Sequence, residues 1–108
     1  MNAEELKAVI AERIRTDDEW DYGLEQCWNK EIEILTRDIS QTINFIENEC
    51  DDDTFCWIGE VFDEVADRTQ SKEFVDAIKR RATKVVDDKE RRSVEVDVRY
   101  AEYKIDDE

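Results

Sequence analysis

The chain has 108 residues, with 31 Asp and Glu against 16 Lys and Arg, no histidine and no proline. Its net charge of −15 lies wholly in residues 1–67, which hold 20 acidic and 5 basic side chains, whereas residues 68–108 hold 11 of each and cancel. Such a field repels nucleic acid and anionic lipid and attracts a basic protein surface, and without histidine the commonest general base and metal ligand is missing.

Ile, Leu, Val and Phe number 26, enough apolar mass for one folded domain spanning residues 1–108. The self-repulsion of the excess charge makes that domain marginal. No apolar run approaches the ~20 residues of a membrane span. No basic and apolar leader opens the chain, so the expected location is the cytoplasm. Cys27, Cys50 and Cys56 are odd in number and form no C-x-x-C pair, which predicts free thiols.

Asn2 with Glu5, and Thr16 with Glu19, have the spacing of capping boxes at two helix starts. Leu6, Val9, Ile10 and Ile14 fall on one stripe of the first helix. A longer stripe runs through Trp28, Ile32, Leu35, Ile39, Ile43, Ile46 and Cys50 in steps of three or four, predicting one helix of roughly six turns. Ile39 and Phe62 are expected in the core. Asp51-Asp52-Asp53-Thr54 breaks the pattern and supplies cap oxygens for a helix whose buried face is Phe55, Ile58, Val61, Phe62 and Val65. Gly59 inside that helix predicts a close approach to a neighbour. Ser71 is the expected cap of the next helix, with Phe74, Val75, Ile78, Ala82 and Val85 as its stripe and Lys79, Arg80, Arg81 and Lys84 against its C-terminal dipole. In the last segment Val94, Val96, Val98 and Tyr100 alternate like a strand, while Val94, Val98, Ala101 and Ile105 fit a helical face. A lone strand has no second alternating segment to pair with, which favours helix. The expected fold is all-α, a compact bundle of about five largely antiparallel helices.

Carboxylate pairs such as Glu60 with Glu64 and Asp63 with Asp67 share helix faces, but with so many acids any spacing arises by chance. Asp51-Asp52-Asp53 lacks the alternate ligands, central glycine and closing Glu of a calcium loop. There is no glycine-rich phosphate cradle. No catalytic residue, metal ligand or cofactor is expected, and the protein is expected not to be an enzyme. Trp20 and Tyr22 stand within Asp17-Asp18-Glu19-Trp20-Asp21-Tyr22, either as anchors of an interface or, for Trp20, as a staple closing the core. Trp28, Phe45, Phe55, Trp57 and Phe62 lie in or near the stripes and read as core. The candidate partner-binding set is Asp17, Asp18, Glu19, Trp20, Asp21, Tyr22, Asp51, Asp52, Asp53, Glu60, Asp63, Glu64 and Asp67.

Within Thr54–Asp76, the run Trp57-Ile58-Gly59-Glu60-Val61-Phe62-Asp63-Glu64 followed by Thr69-Gln70-Ser71-Lys72-Glu73-Phe74 resembles small bacterial immunity proteins of contact-dependent inhibition and related polymorphic toxin systems. The resemblance covers about a fifth of the chain. It implies a cytosolic antitoxin that binds and blocks one toxin's catalytic domain, a basic protein such as a nuclease. The acidic field argues against direct contact with nucleic acid or membrane, and the chain is expected as a monomer or as a homodimer through the long central helix. The alternative is an acidic mimic of nucleic acid, or a regulatory protein-binding module without catalysis. A mimic would carry its acids in regular rows, an antitoxin a patch with aromatic anchors.

Overall fold

Asn2 starts the first helix by accepting the Glu5 amide on its side-chain oxygen at 3.1 Å, and α1 runs Ala3–Arg15. The computed structural model describes residues 1–106. Leu6, Val9 and Ile10 are buried as the stripe predicts, but Ile14 is half exposed and Arg13 takes a buried place beside it. The Thr16 hydroxyl donates to the Glu12 carbonyl at 2.7 Å, so Thr16 closes α1 and does not cap the next helix. A threonine at a helix end can always turn back to the carbonyl four residues earlier. The chain instead turns at Asp17, whose carboxylate accepts the Glu19 amide at 2.9 Å. Then α2 (Asp21–Thr36) begins at Trp20 with no side-chain cap.

The long stripe proves to be two helices. After α2 ends, Asp38 is extended and caps α3 (Ile39–Asn48) by accepting the Gln41 amide at 3.3 Å. The buried Thr42 hydroxyl donates to the Leu35 carbonyl at 2.7 Å, satisfying a group that the break leaves open. Leu35 and Ile39 are four apart, so the apolar rhythm survives the break. Ile39 itself stands only partly buried at the start of α3, and Phe45 and Ile46 are the α3 side chains that enter the core.

Asp51 caps α4 (Asp52–Ile58) through the Thr54 amide at 2.7 Å. A 3-10 turn over Gly59–Val61 leads directly into α5 (Phe62–Thr69). A Cβ at Gly59 would lie 2.6 Å from an Asp97 carboxylate oxygen and 3.4 Å from a Val94 methyl, which identifies the predicted close neighbour as the last helix. Gln70 ends α5 in the left-handed region at φ 48°. Its side-chain amide donates to the Asp67 and Lys104 carbonyls and accepts the Asp106 amide, tying the C-terminal end to α5. Ser71 caps α6 (Lys72–Ala82) by accepting the Phe74 amide at 3.0 Å. Asp87 caps α7 (Asp88–Tyr103) by accepting the Glu90 amide at 2.9 Å.

The ambiguous last segment is therefore helix. Val94, Val98 and Ala101 are buried, while the alternate residues Val96 and Tyr100 face out. The described residues are helical with no strand; because α4 and α5 run on through the 3-10 turn, they form six rods against the expected five. The break at Asp38 accounts for the sixth. At the centre Phe62 packs on Phe55 and Phe74, with ring centroids 5.2 and 6.0 Å apart, and α7 lies across α5 and α6. Trp28 and Trp57 are only partly buried, at the edge of this core. Among the described residues no helix is long and apolar enough to cross a membrane.

Candidate functional site

The turn between α1 and α2 places Asp17, Asp18, Glu19, Trp20, Asp21 and Tyr22 in solvent. Trp20 and Tyr22 are 57% and 63% exposed, with ring centroids 6.0 Å apart. Trp20 is held without being buried, because its ring covers Gly23: a Cβ there would come within 2.3 Å of the indole carbon Cε3. Gly23→Ala is therefore expected to push the indole off α2 while adding about 1 kcal/mol of helix propensity. Faster acrylamide quenching of tryptophan fluorescence and a shifted Trp20 indole N–H resonance check this. An unchanged indole would mean that Trp20 is seated elsewhere.

Arg13 connects this turn to the acids of the 3-10 segment. Its guanidinium donates to both Glu60 oxygens at 2.9 and 2.7 Å, and to Asp18 at 3.1 Å, and lies 5.4 Å from the centroid of the Trp57 ring. These bonds raise the Arg13 pKa, chiefly through Glu60. Trp28 adds an indole N–H bond to Glu60 at 3.1 Å. Beside this node an open groove of about 250 Å³ runs between α2 and α5, with Glu25, Trp28, Glu60, Asp63 and Glu64 on its walls. Glu64 pairs with Arg68 at 2.9 Å, and Asp67 is exposed one turn beyond Asp63.

Behind the groove stands a residue that the sequence reading passed over. Glu31 on α2 is fully buried, and neither carboxyl oxygen has a hydrogen-bond partner among the described residues. Burial, reinforced by the charge of Glu60 and opposed by Arg13, pushes it up to about 8. It therefore carries a proton at neutral pH. Its position four residues after Cys27 and four before Leu35, both buried, was the available signal. Asp97 on α7, against Gly59, is likewise raised to about 6 by burial and by the charges of Glu60 and Asp63.

Asp51, Asp52 and Asp53 stand apart, at the far end of α4 from Glu60. Asp51 is the α4 cap, and its carboxyl is held low by the Thr54 amide. Asp52 accepts the Val86 amide at 3.0 Å and an Arg81 N–H at 2.7 Å, which hold its carboxyl low. Arg81 also donates to the Cys50 carbonyl at 2.8 Å and lies over Phe55, so this cation binds the fold together as well as ending α6. Asp53 is exposed. The three cysteines are free; burial pushes the Cys50 and Cys56 thiols up to about 12 and about 11, which keeps them protonated and weakly nucleophilic. Among the described residues no group of three or more cysteine, aspartate or glutamate side chains is placed to hold a metal ion. No protein-family model, curated protein or solved structure matches this chain.

Proposed function

We propose that this protein is a non-catalytic inhibitor that binds a basic protein domain, an antitoxin of the immunity-protein kind, paired with one toxin. One observation carries this reading: two exposed aromatic rings stand inside an exposed acidic turn that is joined through Arg13 to a groove walled by acids. The acids are interrupted by Trp20, Tyr22, Trp28 and Arg13, which favours the antitoxin over the nucleic-acid mimic. The resemblance carried by Trp57–Phe74 supports the same role. In this reading the excess charge steers the partner and the rings hold it.

Steering and holding separate kinetically. Against the basic toxin domain that this reading requires as partner, Trp20→Ala is expected to cost on the order of 2 kcal/mol, appearing as dissociation faster by roughly thirtyfold. Glu19→Gln, Asp21→Asn and Asp67→Asn together, none of which has a salt-bridge partner among the described residues, should instead slow association and flatten its salt dependence. Binding kinetics at several salt concentrations provide the measurement. Association indifferent to salt and to all three changes, or coexpression that leaves the toxin domain lethal, would overturn the reading.

A further inference from the structure

The outer face of α7 is covered by nothing among the described residues, yet it is not an ordinary solvated face. Arg92, Val96, Arg99 and Tyr103 recur on it at steps of four, three and four, with Tyr100 alongside. Val96, Tyr100 and Tyr103 are 38%, 58% and 75% exposed. On its α6 side the helix borders an open groove of about 620 Å³ whose walls include Lys79, Thr83, Glu95, Arg99 and Glu102. Glu95 and Arg99 have no salt-bridge partner among the described residues, whereas Glu102 pairs with Lys79 at 2.7 Å and Arg92 with Asp88 on its own helix, so any Glu102–Arg92 contact between two copies would share those charges.

Charge decides where a second copy of this chain could approach. Two molecules of net charge −15 repel each other, but the whole excess belongs to residues 1–67, and residues 68–108 are neutral. A contact through α7 joins the two neutral portions. The charges on this face are also self-complementary. In an antiparallel helix pair centred beside Asp97, Glu95 faces Arg99 of the second copy and Glu102 faces Arg92 of the second copy. Both pairs fall on the same flank, and the two-fold axis repeats each of them, giving four ion pairs. The same register sets the two Val96 side chains on either side of the axis, each one residue from it, and Tyr103 beside Arg92 of the second copy, a cation–π arrangement.

We propose that the outer face of α7 is a self-association surface, on which two copies pair antiparallel about a two-fold axis at the level of Asp97, next to Val96. A pair of 16-residue helices buries an area near the lower bound of specific interfaces, ~1,200 Å², the size of weak and transient contacts, and the Kd expected of such a contact is on the order of 10–100 µM. It strengthens from low to physiological salt, because repulsion between the acidic portions reaches ~30 Å at 0.01 M and only ~8 Å at 0.15 M.

Sedimentation equilibrium of the full chain tests this. The wild type is expected to show a monomer–dimer equilibrium in that range. Glu95→Arg alone and Arg99→Glu alone each set like charges opposite one another across the axis and should weaken it at least tenfold. The double variant reverses both Glu95–Arg99 cross-pairs, leaves the Glu102–Arg92 pairs as they were, and should restore it. Val96→Lys, which places two ammonium groups beside the axis, should abolish it, with circular dichroism unchanged because the site is on the surface. A protein that stays monomeric at several hundred micromolar, a dimer indifferent to the single changes and to Val96→Lys, or a double variant as weak as its parents would overturn the proposal.

Discussion

Glu31→Met is expected to stabilise the protein, and the gain should grow by about 3 kcal/mol between pH 6 and pH 9. The cause is a carboxyl buried without a partner, whose pKa is pushed up to about 8 first by burial and then by Glu60, against the opposing pull of Arg13. In the unfolded chain this group ionises at its ordinary value of 4.5. From there upward the unfolded chain releases a proton that the folded protein keeps, so unfolding is increasingly favoured as pH rises. The contribution is fully present below pH 4.5 and lost by the time pH has passed about 8. Asp97, raised to about 6, acts in the same direction but over the lower part of this range, so the window above pH 6 isolates Glu31. At pH 5 the Met variant should gain only what removing an unpaired polar group gives, about 1–3 kcal/mol. Urea unfolding of both proteins from pH 5 to pH 9 is the measurement. Parallel stability curves above pH 6 would show that Glu31 is ionised in the folded protein.

Phe62→Ala should be the most damaging single truncation, costing roughly 3–5 kcal/mol. The ring is fully buried and touches the other two phenylalanines of the centre, at centroid distances of 5.2 and 6.0 Å, so its removal leaves a void bordered by α4 and α6. In a domain whose total stability is of the order of 5–15 kcal/mol, the melting temperature should fall by more than about 10 °C. Ile39→Asp, at a position that the uninterrupted stripe placed in the core, should cost clearly less. Ile39 is only partly buried at the first turn of α3, where an acid also meets the positive end of the helix dipole. If Ile39→Asp proved the more destabilising of the two, Ile39 would belong to the centre of the core and not to its edge. Thermal melts of the two variants side by side make the comparison.

Much of this architecture was legible because helix starts are local events. Asn2, Asp51 and Ser71 each accept the amide three residues ahead, as their spacing predicts. The same rule misled at Thr16, whose hydroxyl had an equally local alternative in the Glu12 carbonyl. At Asp38 the cap and its Gln41 were readable, but the unbroken step from Leu35 to Ile39 concealed them. An apolar rhythm of three and four persists across a two-residue break, because the two helices present their faces to one core. The last segment resolved to helix for a related reason: Val94, Val98 and Ala101 serve a buried face, and no second strand exists to reward the alternation.

By itself the sequence determined the helical class, most of the caps, the core phenylalanines and the division between an acidic and a neutral portion, since all of these follow from nearest neighbours along the chain or from counting charges. Only the tertiary structure decided what the charged side chains do. It made Arg13 and Arg81 buried ties between helices, drew Asp51 and Asp52 into the fold, and bound Arg13, and through it the acidic turn, to Glu60, which lies 47 positions from Arg13 in sequence. It also enclosed Glu31 without a partner. The energy of a charge depends on the distance and dielectric between it and its neighbours, and both are set by helices that the chain brings together from far apart.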